Sequence, residues 1–122
     1  MEYLYYFENA NLTLRIFEYL YSKHQMPAAK ITVIHQLDGW LVRVKMSSPL
    51  NSQQDEDLRA FLNELGIPEK PSRRLNMVFL SLEAGHSPID VMRRYQVFVV
   101  VHSSPVRQEI EAFRQLFVPG VK

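Results

Sequence analysis

The sequence predicts an α+β domain of ferredoxin-like type, a split βαβ sandwich with an extra C-terminal helix, occupying residues 1–122 as one unit. Three observations carry that expectation. Asp38-Gly39 lies between two alternating apolar segments, as in a β-hairpin. Amphipathic segments of helical spacing stand before and after that hairpin. A β-branched run at Val97 to Val101 supplies a further strand. Right-handed crossovers from the first strand to the hairpin, and from the hairpin to 97–101, then give the split βαβ order.

Each element has a local reason. Tyr3 to Phe7 is an aromatic run suited to a pleated surface, hence a strand. Asn9 or Asn11 can cap a helix whose Leu12, Ile16 and Tyr19 or Leu20 share one face, and which should end near His24, ahead of Met26-Pro27. From Ile31 to Met46 the hairpin is expected to turn at Asp38-Gly39 in a type I′ conformation. That register sets Leu37 opposite Trp40, His35 opposite Val42, Val33 opposite Val44 and Ile31 opposite Met46. The other side of the hairpin then carries Thr32, Ile34, Gln36, Leu41, Arg43 and Lys45.

Ser52 to Leu65 reads as a helix with Ser52 and Asp55 at capping-box spacing, Leu58, Phe61, Leu62 and Leu65 as its buried stripe, and Gly66 and Pro68 ending it. Its acidic triplet Asp55, Glu56 and Asp57 suits the positive end of the helix dipole, which accounts for it without a metal. Pro68 to Arg74 is polar and reads as a loop. Leu75 to Leu82 fits a buried strand or a helix, and its Leu, Met, Glu and Ala content favours helix. Ser87-Pro88-Ile89-Asp90 has a cap, a proline at the first helical position and an acid at the third, which predicts a short helix reaching Tyr95. Val97 to Val101 reads as a strand buried on both faces. Ser104-Pro105 should open a last helix through Val106, Ile110, Phe113 and Phe117, closed by Val118-Pro119-Gly120.

Composition narrows the chemistry. At 122 residues with 47% hydrophobic content the chain can bury a core without metals or disulfides. It contains no cysteine, which excludes disulfides, thiolate zinc sites and cysteine nucleophiles. Fourteen Lys and Arg against thirteen Asp and Glu leave a net charge of +1, so no whole-molecule field draws nucleic acid or anionic lipid. No apolar run has the length of a membrane span and the N-terminus lacks the features of an export signal. The expectation is a cytoplasmic protein without membrane contact.

Candidate sites are few. At the junction Val101-His102-Ser103-Ser104-Pro105, a helix N-terminus could hold an anion through His102, Ser103 and Ser104, with Arg107 or Arg73 as counter-charge. Ordinary capping by Ser103 or Ser104 explains the same residues more simply. The histidines His24, His35, His86 and His102 have no metal-ligating spacing, and His35 is expected on the core face with a hydrogen-bond partner. Arg73-Arg74 and Arg93-Arg94, with Lys70, offer basic patches for which solvated surface is the simpler reading. The helix, glycine turn, helix outline of Leu75 to Tyr95 resembles a DNA-binding motif only superficially, because its second helix runs almost directly into a strand. Finally Tyr3 and Tyr5, sharing an open sheet face with Leu41, Arg43 and Lys45, would make a protein interface or an RNA-stacking platform.

No acid, base and nucleophile can be named together, so the sequence predicts a non-catalytic protein-binding or regulatory module, with a protein partner or a homodimer formed through the aromatic sheet face. An RNA-binding module on that face is the first alternative. A small enzyme or anion-binding protein with its site at 101–105 is the second. No cofactor and no metal are called for.

Overall fold

The computed structural model describes residues 2–23 and 26–118. The aromatic run forms β1 (Glu2–Phe7), alternating so that Tyr3, Tyr5 and Phe7 are buried. Asn9 then caps α1 (Ala10–Ser22), its side chain accepting the Leu12 N–H at 3.0 Å. Lys23 caps its other end; His24, near which the end was expected, lies outside the described residues, as do Pro119 and Gly120. β2 (Ala29–Gln36) and β3 (Gly39–Met46) form the hairpin, followed by α2 (Ser52–Leu65) and the short β4 (Ile67–Pro68). α3 (Arg73–Glu83) and α4 (Pro88–Tyr95) come next, then β5 (Phe98–Ser103) and α5 (Arg107–Phe117).

The sheet order is β4-β1-β3-β2-β5, with every neighbouring pair antiparallel. In this order β3 separates β1 from β2, and β1 separates β3 from β4, so the two crossovers through α1 and α2 make the expected split βαβ arrangement. The fold is α+β. The strand that completes the second crossover, however, is Ile67–Pro68, which follows α2 at once. The 97–101 run becomes β5 on the opposite edge, beside β2. It is therefore an edge strand with Phe98 exposed, not a strand buried on both faces.

The hairpin register differs from the expected one by two residues. His35 faces Trp40, Val33 faces Val42 and Ile31 faces Val44, so Leu37-Asp38 makes the turn and Gly39 belongs to β3. Neither turn residue has a positive φ, which excludes type I′. The Tyr6 hydroxyl instead donates to the Asp38 carbonyl, and a Cβ at Gly39 would collide with the Tyr6 ring. A shift of two keeps each side chain on its face, so the core side of the hairpin is as expected.

Local caps refine other boundaries. Asn51, not Ser52, caps α2, and the box partner is Gln54: Asn51 Oδ1 accepts from the Gln54 N–H at 2.8 Å while the Gln54 side chain accepts from the Asn51 N–H at 3.1 Å. The segment 75–82 is helical, within α3. Ser87 caps α4 as expected, its hydroxyl accepting from the Asp90 N–H at 3.2 Å.

Apolar clusters fill both sides of the sheet. On one, Tyr3, Tyr5, Phe7, Ile31, Val33, Trp40, Val42 and Val44 meet α1, α2 and α5 through residues such as Phe17, Leu58, Leu62 and Phe113. On the other, Ile34, Leu41 and Val99 meet Val78, Phe79 and Leu82 of α3 and Val91 of α4. The second face, expected to be open, is covered by the chain's own helices.

Candidate functional site

Strand pairing separates the residues expected to share an aromatic face. Tyr3 stands opposite Val44 and Tyr5 opposite Val42, whereas Leu41 and Arg43 stand opposite Tyr6 and Leu4. Period-two alternation therefore puts Tyr3 and Tyr5 on the α1–α2 side and Leu41, Arg43 and Lys45 on the α3–α4 side. Both tyrosine rings are buried, and their hydroxyls tie α2 to β1: Tyr3 donates to Asp55 at 2.5 Å and Tyr5 to Asn63 at 2.9 Å. The hydrogen bond from Tyr3, with Arg59 beside it, holds the Asp55 carboxyl below its usual range, and burial raises the Tyr3 phenol. These rings are structural and offer no platform for a protein or a base.

Leu41, Arg43 and Lys45 are likewise engaged. Leu41 lies in the α3–α4 cluster. Arg43 is only 7% exposed, packs its guanidinium 4.8 Å from the Phe79 ring centroid, and bonds to Glu2 and, at 2.9 Å, to Glu83. Lys45 reaches the same Glu83 at 2.5 Å. Donation from Lys45 and Arg43 holds the Glu83 carboxyl low against the opposing effect of burial. The charges thus neutralise one another where α3 ends over the sheet.

The 101–105 junction is also built differently from the expected anion site. α5 begins at Arg107; its cap residue is Val106, which has no side-chain oxygen, so neither Ser103 nor Ser104 caps it. Ser103 still belongs to β5, and Ser104 accepts the Val106 N–H on its carbonyl at 2.8 Å. His102 pairs with Thr32 across the β5–β2 ladder, and its Nδ1 lies 2.8 Å from the Thr32 hydroxyl. Thr32 faces Arg43, so this pair sits on the α3–α4 side, whereas α5 packs on the opposite side. Burial, reinforced by Lys30 and Arg43 and opposed by Glu83, holds the His102 imidazole below its ordinary pKa and so favours the neutral form. His102, Ser103, Ser104 and Arg107 do not converge on one ligand position. Among the described residues no group of three or more His, Asp or Glu is placed to hold a metal ion, and no helix is long and apolar enough to cross a membrane.

A surface that pattern reading missed lies at the free edge of β5. Among the described residues nothing pairs with that edge. The opposite edge is protected by the brevity of β4 and by Pro68, which has no N–H to offer. β5, with sequence FVVVHS, has neither proline nor a permanently charged side chain. At its first residue a groove of about 600 Å³ opens, lined by Ile34, His35, Leu37, Arg74, Met92 and Phe98 among others. Leu37, at the hairpin turn, is fully exposed and Phe98 is 55% exposed.

The groove is held in shape by its neighbours. His35, on the core face as expected but exposed at its edge, stacks on Trp40 at 4.1 Å between centroids and meets the Phe98 ring edge-on at 6.2 Å. Arg74 donates to the Tyr95 carbonyl at 2.8 Å and to the Gln96 carbonyl at 2.8 Å, fixing the end of α4. Gln96 adopts a left-handed conformation, φ 57°, that turns the chain from α4 into β5. Leu37-Asp38, once assigned to the turn, is the sequence signal that could have revealed the exposed leucine.

No protein-family model matches the chain, and no curated protein matches it. Among solved structures it is similar to the crystal structure of the C-terminal domain of YpbH, with a TM-score of 0.56 at 17% sequence identity. The match covers 92% of this chain and 97% of that one. At that identity the likeness is one of fold.

Proposed function

We propose that the protein is a non-catalytic protein-binding module whose contact surface is the outer edge of β5 together with the groove at its Phe98 end. The observation that carries this reading is the placement of Leu37 and Phe98, both exposed, on one groove beside an unpaired sheet edge. Single exposed apolar residues are ordinary on any surface, but grouped beside an unpaired strand they favour association. The ionisable groups within the fold point the same way. Arg43, Lys45, Glu2 and Glu83 satisfy one another, and His102 is held by Thr32, which leaves them engaged in structure. The RNA alternative needed Tyr3, Tyr5, Arg43 and Lys45 on one open face, whereas the tyrosines lie on the α1–α2 side of the sheet and Arg43 and Lys45 on the side covered by α3 and α4.

The test is a pull-down from native cell extract with quantitative mass spectrometry, using the wild-type chain and a Leu37→Asp, Phe98→Asp double variant as baits. Both side chains are solvent-facing, so circular dichroism and thermal melting should show the variant folded. Proteins captured by the wild type and lost from the variant are expected. Equal capture by both baits would overturn the reading.

A further inference from the structure

We infer that the β5 edge takes an extended peptide as an added strand, with an apolar side chain of that peptide between Leu37 and Phe98 and an acidic one beside the arginines of α3 and α4. This deepens the protein-binding reading and rests on it. An edge strand leaves alternate N–H and C=O groups unpaired, and an extended partner satisfies them as a further ladder. β5 is six residues long, enough for a short segment. Its pairing with β2 is irregular: Val33 faces Val101 and Ile34 faces Val99, so Val100 is an extra residue on β5. Such a bulge bends the edge and discourages indiscriminate sheet-to-sheet pairing without closing it to a short peptide.

Charge selects the occupant. Among the described residues that line the groove none is acidic, and Arg74 is its permanent cation. The last turn of α4, whose Met92 lines the same groove, carries Arg93 and Arg94. Carbonyls at a helix C-terminus repel a carboxylate, but here Arg74 covers those of Tyr95 and Gln96. The nearest acid in sequence, Asp38, lines the neighbouring groove with Tyr6 and Lys70. A second copy is a poorer fit. In a two-fold antiparallel β5 pair, the Phe98 end with its arginines would meet the Ser103 end, where Lys30 precedes the Ile31–Ser103 pair and Arg107 opens α5. Even with Glu109 in the first turn of α5, Lys30 and Arg107 leave that end net positive, so positive charge would face positive charge, whereas an acidic peptide complements it.

The probe is a displayed library of short random peptides selected on the full chain, with the enriched peptides resynthesised with blocked ends. Enrichment of an acid close to an apolar residue is expected, with amide NMR shifts at Leu37 and at 98–103. N-methylating alternate backbone nitrogens should abolish binding in one phase and spare it in the other, because only every second N–H of an added strand faces β5. Arg93→Glu with Arg94→Glu should weaken binding roughly tenfold. Neutral or basic peptides enriched at β5, or indifference to the charge reversal, would overturn the partner chemistry while leaving the surface intact. Equal tolerance of both methylation phases would overturn strand addition. A concentration-dependent dimer abolished by Phe98→Asp would replace the peptide with a second copy. Shifts confined elsewhere, or no enrichment, would remove the surface as well.

Discussion

His102 carries a cost that depends on pH. Its Nδ1 is matched with Thr32, its Nε2 is buried with no partner among the described residues, and the charged groups acting on it are Lys30, Arg43 and Glu83. Protonation would add a positive charge beside two others in a partly desolvated position. Its pKa in the fold therefore lies below the ordinary 6.5, and on acidification the unfolded chain takes up the proton first. Stability linked to this residue is complete above pH 6.5 and declines as pH falls from there toward the folded-state value. Thermal midpoints at mildly alkaline and mildly acid pH should differ more for the wild type than for His102→Asn, the comparison cancelling the other histidines. Identical pH dependence in the two proteins would remove this account. The same residue shows why an anion site was a reasonable expectation that the structure does not fulfil: the sequence places His102 beside two serines, but strand alternation separates His102 from Ser103, and Ser104 lies beyond β5 and ahead of the late start of α5.

At the scale of the element, the hairpin separates what pattern reading can reach from what it cannot. Alternation identifies the buried face, and any even register shift preserves it. Register itself depends on a tertiary contact. The Tyr6 ring lies against Gly39, so glycine is required there by space inside β3 and not by a positive φ in the turn. Gly39→Val should thus destabilise the protein by about 1–3 kcal/mol through overpacking. In a Tyr6→Ala background most of that penalty should vanish, since the ring is what a larger residue meets; denaturant melts of the four proteins give the coupling. An unchanged penalty in that background would restore the turn explanation. Similar reasons account for the other departures. β4 has too few residues to show a period, and α5 is capped by a valine without the side-chain oxygen that marks most helix starts. Ile34 and Leu41 were legible on the mixed polar and apolar side of the hairpin, but not that Val78, Phe79, Leu82 and Val91 would cover that side. The groove at Leu37 and Phe98 follows from two of these displacements together, the shifted turn and the edge position of β5, and so was hidden from local patterns.

For the whole molecule, the sheet is shared by two apolar clusters, and its strands differ in how they can be exposed. β3 has β1 on one side and β2 on the other, and it is buried almost throughout, so freeing its amides requires the sheet to open. β5 has one neighbour, and its outer row of N–H groups needs no opening at all. Native-state hydrogen exchange should therefore be slowest in β3 and in the β2 amides that face it. On β5 it should split by alternation, with amides directed at β2 protected and outward ones exchanging faster by orders of magnitude. The contrast also reports on assembly. If the edge is reserved for a different chain, the fast amides of β5 stay fast as protein concentration rises and slow only when a bound peptide covers them. If two copies pair through β5, the same amides become protected with concentration alone, and in step with the dimer seen by light scattering. Uniform protection along β5 at low concentration would mean that the edge is covered within the monomer, which contradicts the sheet order on which the binding surface depends.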